Sequence, residues 1–134
     1  MFIRWRNKKK GCAWFVRKLG PDGRFFGDIT DTVGLKQRNF RGNVNQQKLE
    51  NVLRSYEAIK KIENHVSTDE ESVFIATIGH ELKVIDFQGS WSSWDDIPDT
   101  VQGLIRMMNP CILNSLILSI DDNQEIWRDL LAEM

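Results

Sequence analysis

The hydrophobic period of this chain changes twice along its length, and that limits what it can fold into. Apolar and polar side chains alternate over residues 1–29, recur at three- and four-residue steps over 44–66, and form two short β-branched runs over 73–87. Alternation places successive side chains on opposite faces of a strand, whereas three- and four-residue steps line one face of a helix. A doubly wound parallel sheet needs strands and helices to alternate one to one, which this order does not do. The pattern predicts an α+β fold: an antiparallel sheet of about five strands with helices packed on it. At 134 residues and 15.6 kDa the chain has the size of a single domain.

Within the amino-terminal part, Ile3 and Trp5 fall on the core side of the first strand, and Phe2, Arg4 and Arg6 on the other. Asn7 to Gly11 is a polar, glycine-ended turn, and Cys12 to Leu19 a second strand. Gly20-Pro21-Asp22-Gly23 is the clearest turn signal, since proline fixes φ at the first corner and glycine accepts φ > 0 at the end. Arg24 to Ile29 returns as a third strand, completing a basic meander over 1–29. Thr30 to Gly42 has no sustained period and reads as a loop.

Asn43 or Asn45 offers a cap for a helix over Val44–Val66, whose apolar positions are Leu49, Val52, Leu53, Tyr56, Ile59 and Ile62. Ser67 to Ser72 is an acidic loop. Val73–Ile78 and Leu82–Phe87 form a hairpin through Gly79-His80-Glu81, its first arm apolar enough to lie mid-sheet. Gly89 to Trp94 reads as a Ser/Trp loop. Asp96 is placed to cap a helix over Ile97–Met108, with Pro98 in its first turn and Asn109-Pro110 as its end. Ile112 to Ile120 suits a strand or a short buried helix, the helix being preferred because proline precedes it. Asp122 and Glu125 open a last helix with the stripe Ile126, Trp127, Leu130, Leu131 and Met134, so that 97–134 reads as a helical end.

No apolar run approaches the roughly 20 residues that cross a bilayer, and no apolar segment follows the basic start, so neither a membrane span nor a secretory signal is expected. The two cysteines, Cys12 and Cys111, form no framework, and a reduced, cytoplasmic setting is expected. The formal net charge of −1 conceals a division. Residues 1–43 hold eleven Lys or Arg against three Asp, and the remainder seven against sixteen acids. Such separation bears on association, through a basic surface for phosphate or an acidic partner, unless the two halves neutralise each other inside the domain.

Catalytic and metal-binding patterns fail on their spacing. His65 and His80 are the only histidines, there is no CxxC, and a zinc site would need four scattered ligands. Asp121, Asn123 and Glu125 match a calcium loop at three positions, but Ile126 stands where glycine is needed and Ala132 where the bidentate glutamate belongs. No GxSxG, GxxxxGK or GxGxxG is present. No cofactor, metal ligand or catalytic residue is therefore assigned, and a non-enzymatic protein is expected.

Two features point to binding. Basic and aromatic residues interleave in the meander, and the cations Lys8, Lys9, Lys10, Arg38 and Arg41 are candidates for phosphate contact in a single-stranded nucleic-acid binder. The acidic, aromatic stretch holding Trp91, Trp94, Asp95 and Asp96 is a candidate protein contact, since tryptophan is enriched at interface hot spots.

The long helix, the hairpin over Ser72–Phe87 and the following IPDTVQGLIRMM (Ile97–Met108) resemble the layout of emfourin-like protease inhibitors and of several small bacterial immunity proteins. The resemblance covers about half the chain and carries over no functional residue. It implies a single-domain protein that acts by binding another protein, as a stoichiometric inhibitor or immunity-type partner. Single-stranded nucleic-acid binding by the basic strands is the alternative.

Overall fold

Two tight turns set the first three strands in register. In the computed structural model, which describes residues 1–31, 36–66, 72–80, 84–109 and 116–117, β1 (Phe2–Asn7) leads into β2 (Cys12–Leu19). The Asn7 side-chain oxygen accepts from the backbone N–H groups of Lys9 and Lys10 at 3.1 and 3.2 Å, and Gly11 takes φ 65°. That is an Asx turn closed by a residue in the left-handed region. The next turn ends at Gly23 (φ 86°), whose N–H donates to the Gly20 carbonyl at 3.0 Å before β3 (Arg24–Asp31) begins.

Beyond β3 the chain forms β4 (Lys36–Asn43), α1 (Gln46–Ile59), β5 (Phe74–Gly79), β6 (Ile85–Trp91), a 3-10 turn (Trp94–Asp96), α2 (Asp99–Met108) and the two-residue β7 (Leu116–Ile117). The strand order is β6-β5-β1-β2-β3-β4-β7, with every neighbouring pair antiparallel. β5 lies inside the sheet between β6 and β1. The protein is a single α+β domain.

Several expectations are corrected here. The segment read as a loop contains β4, which pairs with β3 from Arg24↔Asn43 to Asp31↔Lys36. Its sequence KQRNFRGN lacks alternation, and Phe40 is the one large apolar residue in it, so backbone hydrogen bonding defines the strand. α1 stops at Ile59 rather than Val66. The residues after it turn to the free edge of β6, where His65 N–H donates to the Gln88 carbonyl at 3.1 Å and Ser90 N–H to the His65 carbonyl at 2.7 Å. Satisfying an exposed strand edge competes with continuing the helix. Leu53 is exposed rather than on the buried stripe. Leu116–Ile117 is a strand paired with β4, not part of a helix; the expected helix over 122–134 lies outside the described residues.

Asn45 caps α1 through an acceptor bond from Lys48 N–H at 2.8 Å. The buried face of α1 is Leu49, Val52, Tyr56 and Ile59, and that of α2 is Val101, Leu104, Ile105 and Met108. Both join Ile3, Trp5, Trp14, Val16, Ile29, Ile78 and Phe87 in one core, so the helices lie on one face of the sheet. No helix among the described residues is long and apolar enough to cross a membrane.

Candidate functional site: the open face of the sheet

Alternation along the strands sends Ile3, Trp5, Trp14, Val16 and Ile29 under the helices and Arg4, Arg6, Phe15 and Asp28 to the opposite face. The register aligns these outward residues in rows. One row runs Thr77, Arg4, Phe15, Asp28, Asn39 across β5 to β4, and the next runs Ile75, Arg6, Ala13, Thr30, Gln37.

At the centre, Phe15 lies beneath two arginines: the guanidinium carbons of Arg4 and Arg17 stand 4.4 and 4.7 Å from its ring centroid. Arg17 Nε donates to the Asp28 carboxylate at 2.5 Å, with Asp28 itself buried. Phe2 meets Phe15 edge-on, at 6.1 Å between centroids. A planar cation on an aromatic face is held by the ring quadrupole and loses rotamer freedom, which presents its remaining donors in a fixed direction. Beside the clamp, Arg4, Arg6, Ala13, Arg17 and Thr30 border a shallow depression of about 270 Å³. The small side chains Ala13 and Thr30 leave room for an acceptor group next to the arginines.

Arg17 reaches this face through a β-bulge. Val16 pairs with Gly27 and Lys18 with Phe26, so Arg17 is the extra residue of β2. The irregularity leaves Arg17 and Lys18 both exposed while Leu19 returns to the core. Gly27 permits it: a Cβ there would sit 1.8 Å from the Phe15 carbonyl oxygen. Beyond the bulge, Phe26 pairs with Lys18 on one side and Arg41 on the other and is 51% exposed. Among the described residues Arg4, Arg6, Lys18 and Arg41 have no carboxylate partner.

The residues expected from sequence to bind a partner are placed differently. Trp91 is not in a loop: it ends β6, pairs with Phe74, stacks on Phe87 and His65 at 6.1 and 6.4 Å, and is 3% exposed. Its ring lies over Gly89, where a Cβ would approach it to 2.3 Å. Burial removes Trp91 from the surface, and its role is in the core. Trp94 is half-buried, edge-on to Trp5 and Phe74 at 5.9 and 6.1 Å, with the Arg106 guanidinium 5.3 Å from its ring. Asp95 and Asp96 are exposed in the 3-10 turn, which Ser93 caps. Asp96 does not cap α2, because the turn ends there and Pro98 takes the position before the helix.

The five phosphate candidates do not converge. Lys8, Lys9 and Lys10 occupy the β1–β2 turn, level with the Asp31↔Lys36 end of β4, whereas Arg41 lies five residues along β4. That is about 17 Å along the strand in addition to the intervening strands. Arg38 stands opposite Ile29 in the ladder. The aromatic supply is mostly internal: Trp5, Trp14, Phe25 and Phe40 are all buried. What sequence reasoning missed was Arg17 joining Arg4 and Arg6 on one face. The signal was partial, since Phe2, Arg4 and Arg6 alternate visibly, but Arg17 reaches them only through the register and the bulge.

The fold and site define a class: a one-sheet α+β domain with a helix-covered face and an arginine-rich open face. Comparison with known proteins returned no matching family model, curated protein or solved structure.

Proposed function

We propose that the protein is a non-catalytic binding module that holds an acidic surface of another protein against the open face of its sheet, in the manner of a stoichiometric inhibitor or immunity-type partner. The observation that carries this reading is the clamp of Arg4 and Arg17 over Phe15, with Arg6 beside it and without a carboxylate partner among the described residues. Arginine and aromatic side chains dominate protein hot spots, and pre-positioned guanidinium forks suit carboxylates. Single-stranded nucleic acid is held by several exposed rings, whereas here Phe26 is the one large aromatic side chain exposed among the described residues.

Affinity capture from the native host tests the reading, using the wild type and the Arg4→Glu/Arg6→Glu variant side by side. The expected result is one protein at near-stoichiometric yield, released by salt and lost with the variant. Recovery of nucleic acid with no stoichiometric protein supports the alternative. A protein captured equally by both forms places its contact elsewhere.

A further inference from the structure

Along β3 the outward positions are Arg24, Phe26, Asp28 and Thr30, and they differ in chemistry. Around Asp28 stand the arginines of the clamp. Around Phe26 stand Lys18 and Arg41 as ladder neighbours and a second depression of about 390 Å³, bordered by Lys18, Pro21, Phe25 and the pair of Arg24 with Asp22. An apolar anchor and an anion-receiving site therefore lie two residues apart on one strand, about 7 Å. That is also the spacing between residues i and i+2 of any extended peptide.

We infer that the partner presents an extended acidic segment in which a large apolar side chain stands two residues from a carboxylate. The apolar group seats on Phe26 and the carboxylate meets Arg17 and Arg4. This deepens the reading of the open face as an acidic-protein site and rests on it. Charge complementarity selects the acidic character, because Arg4, Arg6, Lys18 and Arg41 lack carboxylate partners among the described residues. Phe26 selects the apolar residue: at 51% exposed it is the largest uncovered ring on the described surface, and covering it with an apolar side chain is favourable. A nucleic-acid strand would find one base platform here and, among the described residues, no second exposed large aromatic ring.

Two fluorescein-labelled peptides of five residues test this, one of four glutamates around a central phenylalanine and one with central glycine, together with an oligothymidylate of about fifteen nucleotides. Fluorescence anisotropy is read with the wild type, Phe26→Ser and Arg4→Glu, each shown to be folded by circular dichroism. The phenylalanine peptide is expected to bind about fivefold more tightly than the glycine peptide, a difference of about 1 kcal/mol. Phe26→Ser should abolish that advantage, and Arg4→Glu should weaken both peptides. Equal affinity for the two peptides, with Arg4 still required, overturns the anchor and leaves the acidic-face reading standing. Peptide binding indifferent to Arg4→Glu overturns that reading as well. Tighter, Phe26-dependent binding of the oligonucleotide overturns the inference in favour of nucleic acid.

Discussion

Tyr56 on α1 donates its phenolic hydroxyl to the carboxylate of Asp86 on β6, tying the helix layer to an outer strand of the sheet. Burial of the phenol, reinforced by the hydrogen bond to Asp86 and by the negative charges of Asp86 and Glu57, pushes its ionisation well above the ordinary value of 10.0. A raised folded-state pKa contributes stability that is complete below the unfolded value and is lost as pH rises above it. The denaturation midpoint is therefore expected to fall above about pH 10, and to fall less steeply in Tyr56→Phe. Since the chain has one tyrosine, tyrosinate absorbance reads this group directly. Native protein should titrate at higher pH than the same chain in denaturant; coincident titrations would mean that the bond is absent. At neutral pH Tyr56→Phe should cost about 1–3 kcal/mol, since Asp86 loses its donor.

Trp91→Ala should destabilise the fold by about 3–5 kcal/mol, as removal of a buried aromatic leaves a cavity against Phe87 and His65. Asp95→Ala and Asp96→Ala, both at exposed positions, should each stay within about 0.5 kcal/mol. Urea unfolding monitored by circular dichroism separates the two cases. A Trp91→Ala protein as stable as wild type would place that ring outside the core.

These contrasts mark what was legible in the sequence. Strongly patterned elements were: Ile3 and Trp5 facing inward, the turns ending at Gly11 and Gly23, an asparagine cap (Asn45 of the two offered) and the pairing of β5 with β6 follow from local chemistry, although β6 runs over Ile85–Trp91 rather than Leu82–Phe87. β4 was hidden because a strand beside a well-formed neighbour needs few apolar side chains, and Phe40, which is buried, is the one large apolar residue in KQRNFRGN. Trp91 was misplaced because Gly89, Ser90 and Ser92 around it look like loop chemistry. In the fold Gly89 is small so that the indole can lie across it. The candidate site was legible in its charge but not in its place. Arg4 and Arg6 announce their face by alternation, whereas Arg17 joins them through a bulge that depends on Gly27 in a different strand.

Gly27→Ala tests that dependence. The added Cβ would meet the Phe15 carbonyl oxygen at 1.8 Å and the Phe40 ring at 2.8 Å, so β2 must shift or the bulge must move. A loss of about 1–3 kcal/mol is expected in chemical denaturation. Acidic-peptide affinity should fall too, because Arg17 is re-aimed. An unchanged midpoint would show that β2 and β3 do not approach as closely as this register requires.

Asp28→Ala should move stability and binding in opposite directions. Asp28 is 7% exposed and accepts from Arg17, so its removal forfeits a charge-assisted bond and should cost about 1–3 kcal/mol. The same change removes the one acid that borders the arginine cluster among the described residues and frees the Arg17 fork, still positioned over Phe15, for an incoming carboxylate. Affinity for an acidic peptide should then rise about threefold to tenfold, with a steeper dependence on salt because one more unscreened cation faces the ligand. The pair can be separated by a double-mutant cycle with Arg17→Ala. In stability, the two single losses should exceed that of the double variant by about 1 kcal/mol. Weaker peptide binding by a folded Asp28→Ala protein would mean that Asp28 orients Arg17 for the partner rather than competing with it, and the site would then act through the ion pair as a unit.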